Sequence, residues 1–422
     1  MFRDLPTLWK IKRYRFLLTA RAISNIGNGM SPVALAFGVL GLPGSTPASL
    51  SLVTTAQMVP IVVFLLIGGV VADRFGRAQV VGTTDIIGSI AVGVSAILFL
   101  SGHATVPLLC VIAVIIGILN ALWWPAFAGL LPEIVPPELI SPALSIQGLS
   151  ANLGFTIGAS IGGAIVSIFG AGWAILLDAA SFMIAGLLVL QLKNAATSSA
   201  TDEHRESMLA QLKEGWKEFS SRRWLVTLVI SFAFINMCFE GFIGVLAPVQ
   251  MKEQLGGAKD MGLMLFAFGL GSISGVLVSL KFRPKFPLRV AMMSMPVVGL
   301  FVLAVAIPLP LWIIAIVAVG AGISFDLFFV LWMTTFQTQI PQEALSRVSS
   351  YDAFGSMLFA PIGLLVAGPL AQWIGARDAL FIAGSIVLLA SFGSLLVRDI
   401  RDIESVVNRP EITKDSPSTT LA

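Results

Sequence analysis

Gly69-Val70-Val71-Ala72-Asp73-Arg74-Phe75-Gly76-Arg77 places three charges within five residues, between two apolar runs at 50–72 and 79–100. Each run has about the 20 residues that a helix needs to cross the hydrocarbon core of a bilayer. Backbone inside lipid must close its own hydrogen bonds, so two such runs form a helical hairpin with the charged turn at the membrane surface. Gly69 lets the first helix approach a neighbour closely. Gly76 supplies the turn. Asp73 and Arg77 are spaced to pair at the membrane edge.

The same pattern continues in both directions. Further apolar spans lie at 16–41, 107–131, 143–169 and 173–192, then at 224–247, 261–281, 288–307, 311–336, 348–371 and 377–397. The sequence therefore predicts an all-α membrane protein with twelve transmembrane helices in two six-helix bundles. The expected units are 1–192, a linker at 193–223, a second bundle at 224–397 and a tail at 398–422. In the linker, Met208, Leu212, Trp216 and Phe219 recur at helical spacing among charged residues, as in a helix lying at the membrane interface. Composition agrees. Of the 422 residues 56% are hydrophobic and 12% charged, with mean hydropathy +0.92, whereas a soluble domain carries about 25% charged residues. The first apolar run is longer than a signal-peptide core and no small-residue cleavage site follows it.

Charge placement orients the chain. Of the 26 Lys and Arg, all but Arg21, Lys252, Lys259 and Arg377 fall before the first span, in the even-numbered connections or in the tail. By the positive-inside rule these parts, and both termini, are expected in the cytoplasm. The net charge of +3 calls for no nucleic-acid partner. Cys110 and Cys238 lie in separate apolar runs and are expected as core residues, not as a disulfide or metal pair. No Gly-Lys-Ser/Thr phosphate loop is present, which excludes an ATP-driven pump on this one chain. Two histidines and no convergent catalytic set argue against an enzyme, and neither a metal nor a cofactor is expected.

An internal repeat emerges at an offset of 205 residues. Gly117, Gly158, Gly163, Gly170 and Ala171 fall on Gly322, Gly363, Gly368, Gly375 and Ala376, and Pro136 and Glu138 on Pro341 and Glu343. Trp123, Trp124 and Phe127 fall on Phe328, Phe329 and Trp332. Duplicated halves are a common plan of secondary transporters, with the substrate site between them near mid-membrane.

The 69–77 stretch resembles the cytoplasmic loop signature of the major facilitator superfamily, with Val71 in place of the usual Leu and Ala78 in place of a basic residue. The resemblance implies a conformational latch built on Gly69, Asp73, Arg74, Gly76 and Arg77, with Asp85, Glu133 and Asp352 as further members. Gly154, Gly158, Gly162 and Gly163 resemble the helix-5 glycine motif of the superfamily's antiporters, with Ala159 where a proline is usual. Small residues four apart equally serve close helix packing. The helix-4 arginine of drug–proton exchangers is absent, its position being Ala113. The whole chain is similar to bacterial exporters of the macrolide-efflux and enterobactin-exporter type.

Ionisable groups inside a bilayer are costly unless paired or hydrated, so each is a functional candidate. Asp326, about halfway along the tenth span, and Glu240 with Asn236 in the seventh are expected to couple protons or oppose a cationic substrate. Both spans belong to the set that the resemblance places around the cavity. Arg21, Asn25, Asn28, Asn120 and Asn152 are polar candidates for the same cavity, although the asparagines could equally serve helix contacts and Arg21 could instead snorkel to the surface. Asp178 is expected near the outer end of the sixth span, in packing or capping. Phe325, Phe328, Phe329 and Trp332 recur at i, i+3, i+4 and i+7, and Trp123 and Trp124 stand in the related stretch. Facing a cavity, these would suit bulky amphipathic molecules better than sugars. The expectation is a monomeric, proton-coupled exporter of an antibiotic, other drug or siderophore in a bacterial inner membrane. The alternative is an importer or facilitator of a small metabolite.

Overall fold

The computed structural model describes residues 5–192, 208–307 and 309–405; the side chains at 65, 66, 69, 70, 73, 208–213, 280, 281, 342, 343, 346 and 347 lie outside the described set. Most of the tail and linker residues 193–207 are outside it as well. Among the described residues there are no strands, and twelve helices are long and apolar enough to cross a membrane. These are α1 (Lys12–Leu40), α2 (Pro47–Phe75), α3 (Arg77–Leu100), α4 (Val106–Ile134), α5 (Ile140–Phe169) and α6 (Ala171–Leu190) in the first half. The second half holds α7 (Arg223–Gln254), α8 (Gly257–Lys281), α9 (Pro287–Ala306), α10 (Leu311–Gln339), α11 (Gln342–Met357 continued by Ala360–Ile374) and α12 (Ala376–Ser394).

Proline explains where the second half departs from straight helices. It lacks an N–H and clashes with the preceding turn. α7 widens into a π turn at Phe242–Leu246 just before Pro248. α9 breaks at Met295 before Pro296, and α11 breaks at Leu358 and Phe359 before Pro361. Such irregular turns are tolerated in a membrane where neighbouring helices shield the freed carbonyls.

Glycines at the 205-residue offset occupy equivalent places in the two bundles. Gly117 of α4 lies against the Gln57 carbonyl of α2, and Gly322 of α10 against the Phe268 carbonyl of α8. Gly158 of α5 lies against Ile26 of α1, and Gly363 of α11 against Met237 of α7. Gly170 and Gly375 turn the chain between the fifth and sixth helices of each half with φ of 90° and 92°. Lipid gives helices no hydrophobic reason to associate, so close packing across small residues holds these seams together.

The halves join through two related contacts. Gly163 of α5 packs on Ala258 and Gly262 of α8, while Gly368 of α11 packs on Pro47 and Ser51 of α2, with the Gly368 N–H donating to Ser51 Oγ at 2.6 Å. Lys252 at the end of α7 donates to the Leu40 carbonyl at the end of α1. All these contacts lie toward the ends of α1, α5, α7 and α11 and the starts of α2 and α8. The opposite end carries the 2–3 connection, and there the helix Met208–Ser220 packs Phe219 and Trp216 on Tyr351 of α11, with ring centroids 5.9 and 5.6 Å apart. Of the expected apolar stripe on this helix, the side chains of Met208 and Leu212 lie outside the described residues.

Candidate functional site

Arg21, Asn25 and Asn28 stand at i, i+4 and i+7 on α1, so helical geometry aims them in one direction. On α4, Asn120, Trp123 and Trp124 share a face for the same reason. The two faces meet around a partly open cavity of about 360 Å³, walled also by Asp85 of α3, Asn152 and Phe155 of α5 and Phe182 of α6. The structure thus brings seven of the predicted cavity residues together within the first half.

The floor of this cavity is an ion pair. Arg21 Nη2 lies 2.6 Å from Asp85 Oδ2, and both side chains are almost fully buried, at 3% and 4% exposure. The guanidinium lies 4.9 Å from the Trp123 ring centroid and 5.5 Å from that of Phe127. Trp123 stacks on Phe127 at 4.4 Å, meets Trp124 edge-on at 5.4 Å and directs its indole N–H to Asp85. A buried charge pair is tolerable only with such extra partners, since desolvation offsets most of the Coulomb gain. The arrangement presents to the cavity aromatic rings, several carboxamides and no unbalanced charge.

This corrects two expectations. Asp85 belongs to the cavity floor, not to the latch, because it sits two turns beyond Arg77 and faces α1. Arg21 does not snorkel: a counter-ion within reach holds it inside. Asp178 is also deeper than expected. Its Oδ1 lies where a Cβ on Gly27, at the middle of α1, would stand, and the residue is 1% exposed.

The latch is assembled in part. Arg77 donates to the Gly129 carbonyl at 2.8 Å and lies 3.3 Å from Glu133 Oε1, both on α4. The Asp73 side chain lies outside the described residues, as does any side-chain environment of Gly69, and Arg74 is exposed. Asp352 does not join: it faces Trp332 and Ser356 within its own half, and among the described residues α11 meets the first half at its far end, where Gly368 packs on Pro47 and Ser51. The helix-5 glycines serve packing. Gly154, Gly158 and Gly162 lie on Asn25, Ile26 and Met30 of α1, and Gly163 on α8; α5 is an unbroken helix through Ala159.

The second half is different in character. Asp326 accepts a hydrogen bond from Ser272 of α8, and Asn236 donates to the Ser356 carbonyl of α11 at 3.0 Å. No ion pair reaches Asp326 or Glu240 among the described residues. Aromatic rings surround this region: Phe239 stacks on Phe325 at 5.4 Å, and Phe232 on Phe328 at 4.6 Å. Trp332 departs from expectation. It is 7% exposed and packs on Trp224 and Phe328, so it belongs to the bundle core, whereas Phe329 is 51% exposed. Phe155 and Phe182 were not expected in the cavity. Phe155 stands inside the glycine motif and Phe182 one turn after Asp178, the only signals that could have found them.

A model of the Major Facilitator Superfamily matches residues 17–363. The multidrug efflux pump Tap of Mycolicibacterium fortuitum is 27% identical over 390 residues, covering 88% of this chain and 92% of that one. Macrolide efflux protein A of Streptococcus pyogenes is 20% identical over 399 residues, covering 94% and 98%. Among solved structures, nucleoside transporter NupG superposes with a TM-score of 0.70 at 13% identity over 91% of this chain and 98% of that one. A bacterial homolog of the human lysosomal transporter Spinster, in an inward-facing and occupied conformation, gives 0.68 at 15% identity over 92% and 97%. With the family match covering most of the chain, two glycine-packed six-helix halves and a charged turn between α2 and α3, this chain belongs to the Major Facilitator Superfamily of membrane transporters.

Proposed function

We propose that the chain exports hydrophobic or amphipathic small molecules, an antibiotic, other drug or siderophore, driven by protons across a bacterial cytoplasmic membrane. The observation that carries this reading is the cavity itself. Trp123, Trp124, Phe155 and Phe182 offer flat apolar faces, while Asn25, Asn28, Asn120 and Asn152 offer neutral donors and acceptors. The single charge pair in its wall is internally balanced. Such a wall accepts bulky molecules with scattered polar groups and has no fixed charge to demand a particular ion. Relatives named as multidrug and macrolide efflux proteins support the same direction and cargo class.

The charge bias of the connections supports placing both termini, the linker and the 2–3 turn in the cytoplasm. In that orientation the sealed end faces outward and the first-half cavity opens inward, the conformation in which an exporter takes on cargo. Arg77, Glu133 and Gly129 then form the cytoplasmic latch on the first half, waiting for the second half to close. Asp326 and Glu240 supply carboxyls for proton coupling. The protein acts as a monomer within lipid.

The test is accumulation of ethidium and of a macrolide in cells with and without the protein. Lower accumulation that vanishes when a protonophore is added supports the reading. Unchanged accumulation, or export that survives collapse of the proton gradient, contradicts it. If Asp326→Asn and Glu240→Gln both export normally, coupling through these two carboxyls is excluded. The alternative, import or facilitated passage of a small metabolite, takes its support from the missing helix-4 arginine and predicts uptake in the same assay.

A further inference from the structure

Arg21, Ser24, Gly27 and Ser31 follow one another along α1 at intervals of one turn and so form a single stripe. Opposite this stripe stands Asp178 of α6, its carboxylate between the Ser31 and Ser181 hydroxyls and nested where Gly27 lacks a side chain. Three buried atoms on this seam, Arg21 Nε, Ser24 Oγ and Asp178 Oδ1, have no hydrogen-bond partner among the described residues. The wall around Asp178 is apolar, with Ala34, Ala174, Ile175 and Ala179 in one cluster.

The charges within reach are few. Against α6 pack α1, α3 and α5. From α1 the charged group of the middle section is Arg21, already paired with Asp85 of α3. The remaining charges of α1 and α3 (Lys12, Arg13, Arg15 and Arg77) stand near the ends of those helices. α5 contains no charged residue, and α6 none besides Asp178. A carboxylate removed from water without a counter-charge is not held by proteins; it takes up a proton or a cation. A metal cation needs several oxygen ligands. Among the described residues no cluster of three or more His, Cys, Asp or Glu side chains that could hold a metal stands here. A proton needs only the carboxyl.

We propose that Asp178 is a proton-binding site of the transport cycle, loaded in this conformation and reached from the first-half cavity along the Arg21–Ser24 stripe beside Phe182. The inference rests on the proton-driven reading above and assigns part of its coupling to a residue outside Asp326 and Glu240. Binding is a simple protonation: one carboxylate oxygen gains a proton from the cavity side and returns it when α1 shifts against α6. Gly27 allows that shift because no side chain locks the seam.

Infrared difference spectra of the purified protein test this without knowledge of the cargo. Wild type minus Asp178→Asn at neutral pH should show the carbonyl stretch of a protonated carboxylic acid, sensitive to deuterium exchange; Asp178→Glu should keep a shifted band. A difference spectrum with only ionised-carboxylate bands overturns the inference, and so does a band of equal size in wild type and Asp178→Asn. In proteoliposomes, Asp178→Asn should lose proton-gradient-driven ethidium transport at least tenfold while retaining downhill exchange, and Asp178→Glu should regain it in part. Gradient-driven transport at the wild-type rate in Asp178→Asn overturns the inference and leaves the exporter reading intact. A wild type that ignores the proton gradient and answers to a sodium gradient overturns both.

Discussion

Arg21 of α1 and Asp85 of α3 meet at 2.6 Å, almost wholly shielded from solvent and covered by the ring of Trp123. Removing one member leaves the other charge buried and alone, which typically costs about 3–5 kcal/mol, whereas replacing both by apolar residues of similar volume is close to neutral. Arg21→Met and Asp85→Leu singly should therefore lower the melting temperature of the purified protein markedly, and the double substitution should recover most of the loss. Thermal unfolding in detergent checks this; additive losses in the double variant would mean that the pair is not coupled.

The aromatic residues of α10 differ in burial. Trp332 is buried against Trp224 and Phe328, so Trp332→Ala should destabilise by about 3–5 kcal/mol, as for large core aromatics. Phe329 is half exposed, and Phe329→Ala should cost about 1 kcal/mol or less. Parallel melting curves decide it.

Arg77 and Glu133 are partly exposed, at 32% and 23%, and such pairs contribute on the order of 1 kcal/mol or less. Arg77→Ala should leave the melting temperature nearly unchanged, yet slow transport severalfold if the contact belongs to the closing end. Transport and melting measured on one preparation separate the two effects.

The seal between the halves depends on close backbone approach. A side chain on Gly368 would strike Pro47 and Ser51, and one on Gly163 would strike Ala258 and Gly262. Gly368→Leu and Gly163→Leu should open this end, seen as faster labelling of a cysteine introduced at Ser51 or Ala258 respectively, and should abolish uphill transport. Gly148, which faces open space, is the control: Gly148→Leu should behave as wild type.

Much of this architecture was legible in the sequence. The apolar spans fall within a few residues of the helices, because in lipid the need to satisfy every backbone group allows little else. The 205-residue offset pairs glycines that make equivalent contacts, since a seam between backbones needs the same small residue in both halves. Glu133 could be named as a partner of Arg77 because both flank the same membrane surface. The partner of Asp85 was not legible. Spacing fixes which residues share a helix face, as with Arg21, Asn25 and Asn28, but not which neighbouring helix that face meets. Trp332 shows the same limit: α10 is apolar on every side, so its periodicity carries no phase to tell the buried face from the exposed one. Asp178 looked peripheral because it lies early in its helix, whereas the crossing with α1 sets it opposite the middle of that helix.

The central claim is that the first-half cavity holds the cargo, and binding to the purified protein tests it most directly. Titrating ethidium and a macrolide into wild type, Asn120→Leu and Trp124→Ala should show at least a tenfold weaker Kd in both variants with unchanged melting temperature. Trp312→Ala, on the exposed surface of α10, should bind as wild type does. Equal affinity in all four proteins would contradict the account.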